Sequence, residues 1–478
     1  MATFEISKSK CTTFYNIPMN SANKNTIYLS LRNKYPVFIY EKFEIEIGDA
    51  GLKARFYFNV SDQFHFTPEI IIPQKSFLNF RINQAELENL VFHMGMVELI
   101  SYWKATCSPE VIIKAGKLNQ AQIDWWKKLY FNGLGEFFYL NGIQSSQEGF
   151  MKITSAGESD FSLFEVTSNE GYIVPIGGGK DSVVTLETLA QAGKKVIPFI
   201  VNPRKASIET VKNASFSEED ILTIKRTIDP NLIKLNRKGF LNGHTPFSAV
   251  LAFTTLLAAS LAGITNIALS NESSANEATV IGTNINHQYS KSFEFENDFR
   301  NYIRNYISED YNYFSFLRPL NELQIAQAFS KYPQHFGSFK SCNVGSKTDS
   351  WCGKCPKCLF TWIILSPFID QEKLKAIFGV DLFNDIGLTG IFEELVGKSD
   401  IKPFECVGTI EDVNMALTLT IDQLEKYNHP LPFLLAHFKT LSQYHANKNI
   451  APKTSLTQLN PEHFLSDKLI NLIKKTIA

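Results

Sequence analysis

Tyr172-Ile173-Val174-Pro175-Ile176-Gly177-Gly178-Gly179-Lys180-Asp181-Ser182 runs from a short apolar strand through three glycines into a helical stretch, Ser182–Ala192, closed by Gly193. A glycine-rich loop acquires meaning in this strand–turn–helix setting. Glycines let the backbone turn tightly and bring successive N–H groups to face one anion. The helix that follows adds its positive N-terminal end. Lys180 offers a point charge and Ser182 a hydroxyl, so Gly177 to Ser182 read as a phosphate cradle; the bland reading is a tight turn without a ligand. The spacing is neither a Walker A motif nor a dinucleotide fingerprint.

Strand–helix alternation continues outward. Val196–Val201 reads as a second strand, Leu232–Leu235 as a third, Pro246–Ala262 as a long buried helix and Ile264–Leu269 as a fourth strand. Near-continuous apolar strands alternating with helices predict an α/β fold, a parallel sheet covered on both faces. We place this domain at residues 165–365, between an α+β module at 1–150 and a helical region at 366–478. In the first module Phe43–Ile47 and Ala54–Val60 alternate like strands and meet through Gly48-Asp49-Ala50-Gly51, a hairpin. Helical patterns follow at Gln84–Tyr102 and Asn119–Phe131, the second opening on an Asn cap. The aromatics Tyr102, Trp103, Trp125, Trp126, Phe137, Phe138 and Tyr139 read as core, and Asn141–Asp160 as a linker.

Of seven cysteines, Cys342, Cys352, Cys355 and Cys358 fall within seventeen positions, which is no disulfide framework. The two-residue gaps in Cys352-Gly353-Lys354-Cys355-Pro356-Lys357-Cys358 bring thiolates to one ion, and tetrahedral zinc takes four. A closed four-cysteine site has no open position, so such a zinc is structural; an iron–sulfur cluster uses similar spacings. Net charge is −1, which gives no field drawing the chain to nucleic acid. No charged residue occurs from Thr245 to Asn271, but the helix there spans about 25 Å against about 30 Å of hydrocarbon. A buried helix is the better reading than a membrane span. Met1 to Cys11 is polar and reads as no secretory signal. Reduced cysteines and no leader imply a cytoplasmic protein.

The glycine loop resembles the Ser-Gly-Gly-x-Asp-Ser loop of the PP-loop ATP pyrophosphatases, adenine nucleotide alpha hydrolase-like enzymes, with Gly177 in place of Ser. The downstream cysteine run is similar to that of QueC, a PP-loop enzyme that adenylates a carboxylate. The whole chain resembles the MurL family. That resemblance rests on Ser101-Tyr102-Trp103-Lys104-Ala105, Gly133-Leu134-Gly135-Glu136-Phe137-Phe138-Tyr139 and the loop itself, whose first residue is also Gly in that family. It continues through Ser270-Asn271-Glu272-Ser273-Ser274-Ala275-Asn276, Asn286-His287-Gln288-Tyr289-Ser290-Lys291-Ser292 and Arg318-Pro319-Leu320-Asn321-Glu322-Leu323. The cysteine run and Lys402-Pro403-Phe404-Glu405-Cys406-Val407-Gly408 complete it.

The resemblance implies ATP-dependent inversion of the terminal L-Glu of UDP-MurNAc-L-Ala-L-Glu through an acyl-adenylate, with release of AMP and pyrophosphate, a step of peptidoglycan synthesis. It implies ATP, Mg²⁺ and a small-molecule substrate. A proton next to a carboxylate is very weakly acidic; coupling that carboxylate to AMP removes its charge and makes the carbonyl an electron sink. Each unit of acidity gained is worth about 1.4 kcal/mol. Asp181 is a candidate for the Mg²⁺ shell or for a helix N-cap. His287 and Lys291, four apart, would share a face if helical, and His287 titrates near neutrality, which suits a base. Cys406 is a second proton-transfer candidate. His244 precedes a helix and could meet a phosphate, while Glu272 and Glu277 follow the fourth strand at the expected ligand edge. Other readings of the same residues are a PP-loop adenylating enzyme for a different carboxylate and a non-catalytic zinc-bearing nucleotide sensor.

Overall fold

The computed structural model describes residues 21–49, 51–73, 82–166, 169–280, 285–399, 401–448 and 456–478. Met1–Cys11, read above for a leader, lies outside them. The strands are β1 (Val37–Gly48), β2 (Gly51–Val60), β3 (Phe64–Phe66), β4 (Glu69–Pro73), β5 (Glu110–Ile113) and β6 (Lys152–Ser155), then β7 (Asn169–Pro175), β8 (Val196–Val201), β9 (Leu222–Thr227), β10 (Ile264–Leu269) and β11 (Asn312–Ser315). They form one sheet in the order β11-β10-β7-β8-β9-β4-β2-β1-β5-β6, with β3 paired to β2.

The β7–β11 part is parallel throughout. Alternate side chains on each strand enter opposite cores. Ile173, Phe199 and Ile267 pack with the helix Phe247–Ala262 on one face. Val174, Ile200 and Ala268 pack with the helices Lys180–Gln191 and Glu322–Ser330 on the other. This is the period-2 pattern of a sheet buried on both sides. The uncharged helix Phe247–Ala262 satisfies its buried hydroxyls within itself: Thr254 and Thr255 each donate to the carbonyl four residues back, at 2.6 Å. Among the described residues no helix is long and apolar enough to cross a membrane.

β1 and β2 pair antiparallel from Phe38↔Val60 to Gly48↔Gly51, the expected hairpin. Asn83 and Asn119 cap their helices with reciprocal capping boxes. Tyr102, Trp103, Trp126 and Phe137 are fully buried, as core residues. Antiparallel pairing of β4 with β9 joins the strands of the first third to the parallel set.

Three sequence readings are corrected. Leu232–Leu235 is not a strand but part of the helix Pro230–Arg237, because Asp229 accepts from Asn231 N–H as a cap and Pro230 pre-sets the first turn. The third parallel strand is β9, whose Lys225 and Arg226 disguise it; Arg226 is neutralised by buried Glu98. The stretch Asn141–Asp160 is not only linker, since it contains β6 paired to β5.

Candidate active site

β7 has β8 on one side and β10 on the other, and the chain leaves it in both directions across the sheet. The glycine loop follows β7 directly, so it lies at the carboxyl edge where the strand order reverses, the ligand crevice of open α/β sheets. Gly178 has φ +85°, and a Cβ there would meet the backbone of Ala206 and Ser207 at 2.9 Å. Only glycine fits. Gly178 C=O accepts from Lys340 N–H at 2.8 Å, Arg204 holds Gly177 C=O at 3.1 Å, and Ser182 Oγ donates to Gly179 C=O at 3.0 Å. The helix cap is Gly179, not Asp181, which sits in the first turn with its carboxylate 2.5 Å from Lys180 Nζ. Lys180 is buried in an ion pair with Glu322. Burial alone would lower its pKa, but Asp181 and Glu322 outweigh that and keep it protonated. Burial likewise opposes ionisation of Asp181, and Lys180, Lys357 and Lys291 reverse the balance, so it stays a carboxylate.

Next to the loop lies a second group of side chains. Lys291 Nζ is 3.3 Å from Cys406 Sγ, and its further charged neighbours are Glu272 and Asp181. Cys406 is also a close charged neighbour of His287, whose Nδ1 lies 2.5 Å from Glu136 Oε2. His287 and Lys291 do not share a helix; Lys291 ends the short turn Tyr289–Lys291 and His287 precedes it. They converge on Cys406 nevertheless. Burial raises the Cys406 thiol, yet Lys291, His287 and Lys357 outweigh it and bring it down to about 6. Burial lowers His287, yet Cys406 and Glu136 raise it to about 9. Near neutrality the pair is therefore thiolate and imidazolium, and His287 rests as an acid rather than as a base.

His244 packs against His287 with ring centroids 4.4 Å apart and the rings tilted by 52°, and lies 3.4 Å from Glu136, so its partners are these residues. Burial, with His287 and Lys104 beside it, pushes it down to about 3, and it is neutral. Lys104, which the sequence left without a role, holds the His244 carbonyl at 3.1 Å and Thr245 Oγ1 at 2.6 Å. Glu277 pairs with Lys402, and Lys402 N–H donates to Thr279 C=O at 3.0 Å, which ties the Cys406 loop to the loop bearing His287. Glu272 is buried, with Ser274 Oγ donating to it at 3.1 Å. Ser270 Oγ and Gln288 Oε1 are buried without a partner, unspent polar capacity at this edge. Glu136 and Glu322 were not singled out for a role from sequence and had only their places in the quoted family segments as a signal.

Farther along, Cys342 and Cys355 sulfurs lie 3.7 Å apart, Cys352 and Cys358 3.7 Å, and Cys355 and Cys358 3.5 Å. Four thiolates at about 2.3 Å from one tetrahedral zinc would be about 3.8 Å apart. The cluster fits a single ion, and all four sulfurs lie within 4.8 Å of one another. Gly353 makes the turn between ligands at φ +67°. Cys355 begins the helix Pro356–Leu365, which is buried along its whole length.

Residues 30–316 match the MurL N-terminal domain. The chain belongs to the MurL family. Residues 338–449 match the MurL C-terminal domain. The UDP-N-acetyl-alpha-D-muramoyl-L-alanyl-L-glutamate epimerase of Xanthomonas oryzae pv. oryzae is 32% identical over 370 residues, 75% of this chain and 81% of that protein. The epimerase of the same name from Salinispora tropica is 34% identical over 371 residues, 75% of this chain and 79% of its own. That from a Micromonospora species is 32% identical over 364 residues, 75% and 80%. No solved structure matches. The two MurL segments divide the site between them. The N-terminal one carries Glu136, the glycine loop, His287 and Lys291, and the C-terminal one carries the cysteine cluster and Cys406.

Proposed function

We propose that this chain is an ATP-dependent isomerase that inverts the terminal L-Glu of UDP-MurNAc-L-Ala-L-Glu to D-Glu and releases AMP and pyrophosphate, supplying a peptidoglycan precursor. The relatives' names supply the substrate and the reaction. The observation that carries the mechanism is that one lysine, Lys291, neighbours both Asp181 of the glycine loop and the Cys406 thiolate. An activation site and a proton-transfer site thereby share the field of one cation.

In this reading the amides of Gly177–Lys180 cradle the triphosphate of ATP in a PP-loop arrangement. Asp181, an ionised and partly exposed carboxylate, holds Mg²⁺, which neutralises phosphate charge. The α-carboxylate of the substrate attacks the α-phosphorus, and the acyl-adenylate loses the charge that kept its α-proton weakly acidic. Lys291 and the imidazolium of His287 stabilise the enolate that forms, the role of cations at a developing oxyanion. Cys406 and His287 hold opposite protonation states beside one carbon, the condition for taking a proton from one side and returning one. Cys342, Cys352, Cys355 and Cys358 hold a structural zinc that takes no part in the chemistry. A UDP-linked substrate and ATP place the work in the cytoplasm.

The test is AMP release from ATP and Mg²⁺ with UDP-MurNAc-L-Ala-L-Glu in D₂O, with the product glutamate read for chirality and deuterium. AMP with deuterated D-Glu is expected. AMP without inversion would reassign the chain to adenylation of another carboxylate, and no AMP would leave a nucleotide sensor. Asp181→Ala should fold and lose AMP release.

A further inference from the structure

Glu136, His287 and Cys406 bring carboxylate, imidazole and thiol together, with 2.5 Å between the first two and the thiol a close charged neighbour of the imidazole. Proton transfer at the α-carbon needs no carboxylate behind the imidazole. Nucleophilic thiol sites do use this order, a base beside the thiol and a third group that orients the base. Cys406 as a residue is only partly buried. Lys291 holds it at 3.3 Å and is itself coupled electrostatically to the loop carboxylate Asp181, which links the thiol to the loop on which an adenylate would form.

We propose that Cys406 is a nucleophile that takes the acyl group from the adenylate, so that inversion proceeds on an enzyme-bound thioester. The proposal rests on the ATP-activation reading above. The thiolate attacks the acyl carbonyl carbon; the C–S bond forms as the C–O bond to AMP breaks, and AMP leaves with that electron pair on its phosphate oxygen. No proton is required. After inversion, water attacks the thioester, a C–O bond forms, and sulfur departs with the C–S pair as the thiolate, while both protons of the water pass to solvent and the carboxylate is left. No oxidant or reductant enters, and the sum is ATP and water to AMP and pyrophosphate.

Two features give the thioester a purpose. It keeps the carbonyl an electron sink while tethering the acyl group, so that AMP departs without loss of an activated intermediate to solvent. Acylation also removes the thiolate charge that, with Glu136, holds His287 protonated. His287 then releases its proton more readily and exchanges the α-proton in place of Cys406, whose sulfur carries the acyl group in this scheme. Glu136 acts here as a positioning residue, through His287.

The experiment is a rapid acid quench of the wild-type protein and of Cys406→Ser with ATP, Mg²⁺ and UDP-MurNAc-L-Ala-L-Glu, read by intact mass and by peptide mapping. The expected result is an adduct at position 406 of the substrate mass less one water, formed after AMP and before D-Glu in the wild type. The serine ester, a poorer leaving group, should persist longer. AMP and D-Glu from the wild type with no adduct in either protein would overturn the thioester and leave ATP activation standing. No AMP at all would overturn both.

Discussion

Two sets of cysteines face neighbours of opposite kinds. In the cluster every sulfur has another sulfur close by, with Cys355 and Cys358 3.5 Å apart. Around Cys406 the close partners are cations, Lys291 Nζ at 3.3 Å and the His287 ring. Four thiolates that close repel one another and ionise together only around a shared cation, so the cluster calls for a metal and closes around it. A thiolate between two side-chain cations ionises without one and keeps its lone pairs for chemistry. The same residue type is structural in one place and reactive in the other because of what surrounds it.

The difference can be broken or sharpened by experiment. Cys406→Ala should cut D-Glu formation by about 10³-fold or more, about 4 kcal/mol of barrier, while stability changes by about 1 kcal/mol or less. Cys355→Ser should do the reverse in kind. It should lose the bound zinc, about one per chain in the wild type, and at least about 3 kcal/mol of stability, read by metal analysis and denaturant unfolding. If Cys355→Ser kept its stability without metal, the cluster would not be the staple described here.

A smaller effect separates Glu136 from a merely structural residue. Activity in the wild type should fall below pH about 6 as Cys406 protonates and above about 9 as His287 loses its proton. The groups facing Cys406 are Lys291, His287, Lys357 and Glu405, and those facing His287 are Cys406, Glu136, His244 and Glu405. Glu136 raises His287, so Glu136→Gln should move the alkaline limb to lower pH and cost about 10²-fold near neutrality. An unmoved limb would count against the triad. The least effect is expected at Glu277, partly exposed and paired with Lys402; Glu277→Gln should lower turnover at most about fivefold, the worth of such a pair.

Legibility in the sequence followed the range of the interaction. Glycines after an apolar strand, and cysteines two residues apart, are local patterns whose geometry the chain sets within a few residues. Capped helices are of the same kind, and so Asn83, Asn119 and Gly178 behave as their neighbours dictate. Where local cues conflicted the reading failed: Leu232–Leu235 is apolar enough for a strand, but Asp229-Pro230 starts a helix just before it. β9 was missed because Arg226 looks like surface until Glu98 is brought beside it.

By itself the sequence determined the glycine loop, the cysteine cluster, the alternation that makes a doubly covered parallel sheet and the candidates His287, Lys291 and Cys406. Only the tertiary structure decided that these last three meet, that Glu136 stands behind His287, and that Lys291 is coupled in charge to Asp181. Their partners are separated by more than a hundred positions: 151 between Glu136 and His287 and 115 between Lys291 and Cys406. The physical reason is that protonation states depend on charges within a few ångströms. Which charges those are is settled by packing, here by Lys402 pinning the Cys406 loop onto Thr279, and not by any local pattern in the chain.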